Sequence, residues 1–362
     1  RNFRKKPREG GASLAPAGNL WYNSNRFLAR KTGGYTKEDE KTMLIPVLLF
    51  LLGLLCLIKG GDWFVDGATG LARRFHLPEL LIGATVVSIG TTLPEVMVST
   101  TSALSGHGEI AYGNAIGSVI CNTALIAAIT IAVRPGKVDR QALSTPVTFF
   151  FIAAAVYAGV AYTAGYFSRI IGIALLGMFL VYMLLTVRQM TGGPKTAAAG
   201  QGEAAGSLLA ELARLAGGSV LIAVGARLLV DNGTLIAQAL GVPESVIALT
   251  FVALGTSLPE LVTAITALVK GHGALSLGNI IGANLFNLVL VSGVSITLAP
   301  FAIPQGATIA GRNASLVMDL PVMLAVMLLL TVPALAKGRL YRLQGILLLV
   351  IYGAFCAVQF TL

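Results

Sequence analysis

Two glutamates stand inside long apolar stretches of the sequence, each at the end of a similar six-residue motif. The motifs are GTTLPE at Gly90–Glu95 and GTSLPE at Gly255–Glu260. In the hydrocarbon of a membrane, a carboxylate costs at least about 2.5 kcal/mol, so each glutamate should face the protein interior and have a partner. The surrounding apolar stretches contain no Lys or Arg. A bound cation is the predicted counter-charge, and the alternative is a protonated glutamate hydrogen-bonded to a neighbouring helix.

Oxygen donors flank both glutamates. Pro94 and Pro259 lack an N–H, so the carbonyl groups four residues earlier lose their helical hydrogen bonds. Freed carbonyls at membrane depth are tolerated where they line a cavity or bind an ion. Ca2+ takes about six to eight oxygen ligands, including carboxylates and carbonyls, and two such motifs facing each other can supply them. The ligands predicted from the two motifs are Thr91, Thr92, Glu95, Thr256, Ser257 and Glu260.

A second motif follows each glutamate and adds amide oxygens. The sequence GNAIGSVICN ends at Asn122, and GNIIGANLFN ends at Asn287. Asn122 stands four residues after Ser118, so the two share one helix face, whereas Ala283 replaces the serine in the second copy. We predict cation coordination by Asn122 and Asn287, with an interhelical hydrogen bond as the alternative. The glycines spaced by four in both motifs predict close helix packing.

Both pairs of motifs belong to one internal repeat. Pro78–Asn122 aligns without a gap with Pro243–Asn287, 165 residues further along the chain. Each copy contains five apolar stretches, an odd number, so the second copy enters a membrane in the opposite direction to the first. Inverted repeats of this kind recur in secondary transporters, where the ion site lies near the midplane between the copies.

The composition indicates a chain that crosses a membrane many times. Of its 362 residues, 55% are hydrophobic and 12% are charged, and the mean hydropathy is +0.80. A spanning helix needs about 20 apolar residues, and apolar residues on all faces favour helices over barrel strands. The predicted fold is an all-α integral membrane protein with ten transmembrane helices in two inverted five-helix repeats. The predicted spans are 44–66, 79–104, 110–133, 146–163, 168–187, 207–230, 244–269, 275–298, 315–335 and 341–361.

These spans divide the chain into four regions. Residues 1–42 are predicted to be a disordered or non-native basic tail, since they hold ten of the 26 Lys and Arg and show no apolar period. The first repeat is 43–187, the linker 188–206 is predicted to be cytoplasmic, and the second repeat is 207–362. Twelve of the fourteen loop Lys and Arg after residue 42 fall on the same side of the membrane as the linker. The positive-inside rule makes that side cytoplasmic, which predicts that both termini lie outside.

The remaining polar residues have simpler interpretations. Asp66 and Asp231 stand at equivalent places near span ends and are predicted to cap or pair, with an ion entrance as the alternative. The GHG turns at Gly106–Gly108 and Gly271–Gly273 are predicted to connect spans, with a proton-sensing role for their histidines as the alternative. The few Cys and His are too scattered for a metal cluster, and we predict no resident cofactor. No nucleophile or HExxH motif supports an intramembrane hydrolase, and we predict no binding of nucleic acid.

The repeated motifs resemble the α-repeats of the Ca2+/cation antiporter superfamily, in particular its prokaryotic sodium/calcium exchanger-like members. The resemblance implies that the second, third, seventh and eighth helices enclose the ion sites, and that the first and sixth helices slide past this core. It implies that Glu95 and Glu260 are carboxylates shared by Ca2+ and Na+, with Thr91 and Thr256 as carbonyl and hydroxyl ligands beside them. The Na+-site ligands implied in the same way are Thr92, Ser257 and Ser118, while Asn122 matches a family asparagine.

Three positions depart from the family pattern. Asn287 replaces an Asp that is common in the characterised sodium/calcium exchangers, Val119 replaces an Asn, and Ala283 replaces a Ser. The two ionised glutamates then give the site a charge of −2, which balances one Ca2+ or two Na+. A third Na+ leaves a net charge of +1, so H+ becomes a credible counter-ion.

The predicted function is exchange of Ca2+ for Na+ by alternating access across a cell membrane, taken as a prokaryotic inner membrane. The predicted partners are therefore Ca2+, a monovalent counter-cation and the lipid bilayer. Exchange of Ca2+ for H+, or exchange of another cation such as K+ or Mn2+, stays open as an alternative. A cation channel is a more distant alternative, because the inverted repeat is typical of carriers.

Overall fold

The computed structural model describes residues 37–192, 207–239 and 255–359. Within these ranges the chain forms ten helices and two short antiparallel strand pairs. The helices are α1 (Lys37–Arg74), α2 (Glu79–Leu104), α3 (Gly108–Val133), α4 (Arg140–Thr163), α5 (Arg169–Gly192), α6 (Leu208–Ala239), α7 (Leu258–Val269), α8 (Gly273–Leu298), α9 (Ser315–Lys337) and α10 (Arg342–Gln359). The strands are β1 (Tyr166–Phe167), β2 (Phe301–Ala302), β3 (Thr308–Ile309) and β4 (Arg312–Asn313).

The predicted all-α membrane architecture is confirmed in the described part of the chain. Nine of these helices are long and apolar enough to cross a membrane, and α7 is a shorter apolar helix. Several helices continue beyond the predicted spans. For example, α1 runs on to Arg74 and α4 already begins at Arg140. The extra turns carry charged residues, which end an apolar run without ending a helix.

Some predicted segments fall partly or wholly outside the described residues. Within the predicted tail 1–42, residues 37–42 belong to helix α1. Within the predicted linker 188–206, the first residues continue helix α5 as far as Gly192. The predicted segments that lie outside the described ranges are 1–36, 193–206, 244–254 and 360–361.

The described part of the seventh predicted span begins with a turn. Helix α7 begins only at Leu258, and Gly255, Thr256 and Ser257 form a turn before it. Pro259 occupies one of the first two helical positions. Proline is favoured at the start of a helix because the N–H that it lacks would have no intrahelical partner there. The equivalent Pro94 instead lies inside the continuous helix of α2.

The helices of the two repeats cross over to pack against each other. Helix α3 packs on α10, and in the same way α8 packs on α5. The connections follow the same symmetry. The strand before α5 pairs with the strand after α8 through Tyr166–Ala302 and Phe167–Phe301. An isolated bridge between Lys137 and Arg339 joins the end of α3 to the start of α10. These crossed contacts are what two inverted copies of one unit produce.

The centre of the molecule consists of α2, α3, α7 and α8, which all contact one another. A π-helical turn begins in α3 at Asn122 and in α8 at the equivalent Asn287. Such turns are rare and recur at functional sites. The four helices named by the family resemblance therefore do form the core, and a candidate ligand begins each of these two π-helical turns.

Glycines allow the closest helix contacts, as the sequence predicts. A Cβ atom on Gly278 of α8 would lie 2.1 Å from the Leu80 carbonyl oxygen of α2, and one on Gly282 would lie 2.6 Å from Ala84 Cα. Helices α1 and α6 meet along a second glycine contact, where a Cβ on Gly60 would lie 2.8 Å from the Ile222 nitrogen. Gly113 and Gly117 of α3 are equivalent to Gly278 and Gly282. The second-repeat segment that corresponds to residues 80–84 of α2 lies outside the described residues.

Asp66 and Asp231 both form ion pairs, which confirms the simpler interpretation of these residues. Lys270, in the turn between α7 and α8, lies 2.8 Å from Asp66 and 3.3 Å from Asp62 of α1. Asp231 pairs with Arg227 in its own helix at 3.6 Å. The side chains of both pairs are partly or largely exposed. Because each aspartate already has a cationic partner, we infer no ion entrance from these residues.

We expect Lys270→Gln to lower the free energy of unfolding by about 1 kcal/mol, the upper range for partly exposed ion pairs. Salt screens such charges, so the difference between variant and parent should shrink as KCl is added. Thermal unfolding in detergent at low and high salt measures both quantities. An equal loss at both salt concentrations would assign the effect to packing of the lysine stem.

Candidate cation-binding site

Glu95 of α2 and Glu260 of α7 lie at the centre of the helix core. Both side chains are 0% exposed, and none of their carboxylate oxygens has a hydrogen-bond partner among the described residues. Helices α2 and α7, which carry the two glutamates, contact each other directly. The Thr91 side chain of the first repeat lies beside the Glu260 carboxylate of the second. The fold thus brings the two predicted carboxylates together across the repeat boundary.

Asn122 and Asn287 are also buried beside this pair of helices. Each is 0% exposed, and its amide oxygen and nitrogen have no partner in the described part of the chain. Each asparagine begins the π-helical turn of its helix. The interhelical hydrogen bond that was the alternative role for these residues is absent from the described contacts.

The hydroxyl groups of Thr92 and Ser257, in the two glutamate motifs, are also unpartnered. Both residues are at most 2% exposed, and neither hydroxyl has a hydrogen-bond partner within the ranges described. Ser118, one turn before Asn122, is 4% exposed. Burying an uncompensated polar group costs about 1–3 kcal/mol in proteins, so this many side chains in one place point to a ligand that they share.

Thr91 and Thr256 differ from this group because each hydroxyl has a protein acceptor. Thr91 Oγ1 donates to Asn279 Oδ1 at 3.2 Å, and Thr256 Oγ1 donates to Asn114 Oδ1 at 3.3 Å. Each bond joins one repeat to the other. Sequence reasoning left Asn114 and Asn279 without a role, although the GN dipeptide in both repeats is the signal that marks them.

The freed carbonyl predicted at Gly90 is present, and it has found a partner. Ser219 of α6 donates its hydroxyl to the Gly90 oxygen over a long distance of 3.4 Å. This contact links α6 to the Pro94 region of α2. The sequence has no feature that would pair Ser219 with this carbonyl, because the contact depends on how α6 packs against the core.

Asn284 of the second repeat is equivalent to Val119, one of the three positions that depart from the family pattern. Asn284 donates to Thr123 Oγ1 at 2.7 Å and to the Met327 sulfur at 3.2 Å. Its amide nitrogen is therefore engaged with α3 and α9. Its amide oxygen has no hydrogen-bond partner among the described residues.

The donor set has the chemistry of a hard cation. It consists of two carboxylates, hydroxyls and amide oxygens, which are the ligand types that Ca2+ accepts. Within the described ranges no three His, Cys, Asp or Glu side chains cluster as a metal group, so two carboxylates carry all of the acidic charge of the site. The residues present fit a Ca2+ or Na+ ion that binds as cargo.

Comparison with known proteins agrees with this geometry. Residues 45–188 and 211–361 match the protein family described as sodium/calcium exchanger protein. The chain belongs to this family. Both matched segments contain one copy of the repeat, and the resemblance read from the GT[ST]LPE motifs is thereby confirmed.

Individual members of the sodium/calcium exchanger family are similar over most of their length. The chain is 35% identical to the inner membrane protein YrbG of Escherichia coli (strain K12) over 71% of this chain and 81% of that protein. It is 28% identical to the sodium/calcium exchanger MaX1 of Methanosarcina acetivorans over 87% of this chain and 99% of that protein. A solved structure of the sodium-calcium exchanger NCX_Mj superposes with a TM-score of 0.75 and 32% identity, covering 87% of this chain and 99% of that one.

Proposed function

We propose that this family member is a secondary antiporter that exchanges Ca2+ for Na+ across a membrane by alternating access. The observation that carries the proposal is the pair of fully buried, unpartnered carboxylates, one from each inverted repeat. Uncompensated carboxylates in a dry core are costly, and a cation offsets that cost. Relatives named as sodium/calcium exchangers and the NCX_Mj structure support the same ions.

The roles proposed for the site residues follow from where they lie. Glu95 and Glu260 bind Ca2+ and Na+ in turn, since theirs are the only 0% exposed carboxylates among the described residues. Thr91 and Thr256 add oxygen ligands beside them. The groups proposed to complete the ion sites are Thr92, Ser118, Asn122, Ser257 and Asn287.

Exchange of Ca2+ for H+ is the second candidate, and Asn287 is the observation that favours it. A neutral amide at this position leaves the site with a charge of −2 from its two glutamates. Two protons on these carboxylates neutralise the site as two Na+ do. Mg2+ is disfavoured as cargo because it sheds water reluctantly and demands near-ideal octahedral geometry.

We further propose a cell-membrane location, with the basic loops in the cytoplasm and both ends of the bundle outside. The support is the excess of Lys and Arg on one set of loops, which follows the positive-inside rule. The E. coli relative carries the name inner membrane protein.

Ion flux into vesicles tests the proposal directly. Purified protein is reconstituted into liposomes loaded with Na+, K+ or choline, and 45Ca2+ uptake is followed after dilution into Na+-free buffer. We expect uptake only from Na+-loaded vesicles, and we expect it to stop when a Na+ ionophore collapses the gradient. Protein-free liposomes under the same gradients are the control.

Three results would contradict Na+-driven exchange. Uptake that ignores Na+ but follows a pH jump would assign the counter-ion as H+. Single-channel currents in a planar bilayer, at rates far above carrier turnover, would assign a channel. Uptake from K+-loaded vesicles would instead identify K+ as the counter-cation.

A further inference from the structure

Two asparagines of the core contact the glutamate motif of the opposite repeat. Asn279 of α8 accepts from Thr91 of α2, and Asn114 of α3 accepts from Thr256 before α7. The repeat aligns Thr91 with Thr256 and Asn114 with Asn279, 165 residues further along the chain. Exchanging the two repeats therefore turns one bond into the other. The same hydrogen bond is therefore made twice, in opposite directions across the repeat boundary.

We propose that Asn114 and Asn279 are positioning residues that hold the Thr256 and Thr91 hydroxyls in the orientation needed to bind the transported cation. This inference rests on the proposed function. It concerns residues that do not themselves contact the ion, and it assigns each of them to a threonine of the other repeat.

The chemical reason lies in the hydroxyl group. A threonine hydroxyl has one proton and two lone pairs, and only a lone pair can bind a cation. The proton must point elsewhere, and inside a dry core it needs an acceptor. The amide oxygen of the facing asparagine is such an acceptor at 3.2–3.3 Å. For Thr91 the Ser88 carbonyl is more distant at 3.5 Å, and the neighbouring Glu260 carboxylate makes no hydrogen bond among the described residues.

Asn114 shows that the amide oxygen is the atom that faces the hydroxyl. Its Nδ2 lies 3.3 Å from the Glu95 carbonyl oxygen and 2.8 Å from Ser99 Oγ. A carbonyl can only accept, so the nitrogen must point to Glu95 and the oxygen to Thr256. One side chain thus ties the backbone of one ion-binding glutamate to the hydroxyl beside the other.

Asn279 occupies the equivalent place with tighter surroundings. It is 0% exposed, and its Oδ1 also lies 3.3 Å from Ser88 Oγ. Its own backbone oxygen lies 3.0 Å from the same serine hydroxyl. Asn279 therefore packs against α2 beside Ser88 and Thr91, and its Nδ2 has no hydrogen-bond partner among the described residues.

Loss of a group that orients a metal ligand typically lowers metal affinity about 10- to 100-fold. We expect Asn279→Leu, which keeps the branched shape but removes the acceptor, to raise the Ca2+ concentration for half-maximal uptake by about that factor. We expect the same of Asn114→Leu. The readout is Na+-driven 45Ca2+ uptake into proteoliposomes.

A double-mutant cycle separates positioning from a general structural role. In a Thr91→Val background the hydroxyl is gone, so Asn279→Leu should change half-saturation by less than about twofold. In a Thr91→Ser background the hydroxyl remains, and the full effect of Asn279→Leu should return. The same-repeat pair Thr91 and Asn114, for which the structure shows no mutual hydrogen bond, is the matched control and should be additive.

The second cycle, Thr256→Val with Asn114→Leu, keeps the test decisive if an Asn279 variant does not fold. Additive effects in both crossed pairs would overturn the inference. The Glu95→Gln variant is measured in the same uptake assay. Normal Ca2+ uptake by that variant would reject the proposed function itself, whereas an inactive Glu95→Gln with additive cycles would reject only the positioning role.

Discussion

Replacing Glu95 or Glu260 by glutamine is expected to reduce Ca2+ uptake by more than about 100-fold. Glutamine keeps the shape of the side chain and removes its charge. Removing one partner of a buried charge pair costs about 3–5 kcal/mol, and every 1.4 kcal/mol is about a tenfold change in affinity. Because both carboxylates are fully buried, water cannot replace the lost charge.

Two measurements check this prediction. The first is Na+-driven 45Ca2+ uptake, and the second is thermal unfolding with and without Ca2+. A ligand that binds only the folded state raises the unfolding temperature, so Ca2+ should stabilise the parent protein and not the glutamine variants. The second measurement detects binding even where transport has stopped.

Glu109→Gln is the matched control for these variants. It makes the same chemical change at an exposed glutamate in the first turn of α3. We expect its uptake to match that of the parent within about twofold, since surface substitutions usually cost less than about 0.5 kcal/mol. Full uptake by Glu95→Gln would mean that Ca2+ crosses the protein without this carboxylate.

The transmembrane segments and the repeat could be predicted from the sequence because bilayer physics limits the choices. Hydrocarbon thickness sets the length of a span, and only a helix or a closed barrel satisfies its backbone there. The starts of α2 and α9 were therefore predicted to the residue, at Glu79 and Ser315. The pairing of Glu95 with Glu260 followed from the inverted repeat, which places equivalent residues at the same depth.

Local conformation at the site could not be predicted in the same way. The motifs GTTLPE and GTSLPE differ at one position, yet Pro94 lies inside a continuous helix while Pro259 starts one. The π-helical turns at Asn122 and Asn287 have no local sequence signal either. Their backbone hydrogen bonds depend on which helix packs alongside, and that is decided by contacts between residues far apart in the chain.

The crossed bonds of Asn114 and Asn279 show the same limit. The sequence marks both residues by repetition, but an asparagine can bond to its own helix, to a neighbour or to an ion. Only the packing of α3 against α7 and of α8 against α2 selects the threonine partner. Repetition therefore predicts that a residue matters, and the fold decides what it contacts.

The closest contact between helices gives the second prediction with a large effect. Gly278→Ala adds a Cβ atom that would lie 2.1 Å from the Leu80 oxygen and 2.9 Å from Leu80 Cα. These are backbone atoms, so relief requires α2 and α8 to separate and not a side chain to rotate. Overpacking of this kind costs about 1–3 kcal/mol or more, and we expect the upper part of that range.

The separation should also weaken ion binding, because the residue after Gly278 is Asn279. Moving α8 away from α2 lengthens the bonds from Thr91 and Ser88 to that asparagine. We therefore expect Gly278→Ala to lower both the unfolding temperature and the apparent Ca2+ affinity. Gly353→Ala is the matched control, since Gly353 is exposed on α10 and a Cβ there meets no described atom within 4 Å. If the two alanine variants behaved alike in both measurements, the close contact of α2 with α8 would not be what positions Asn279.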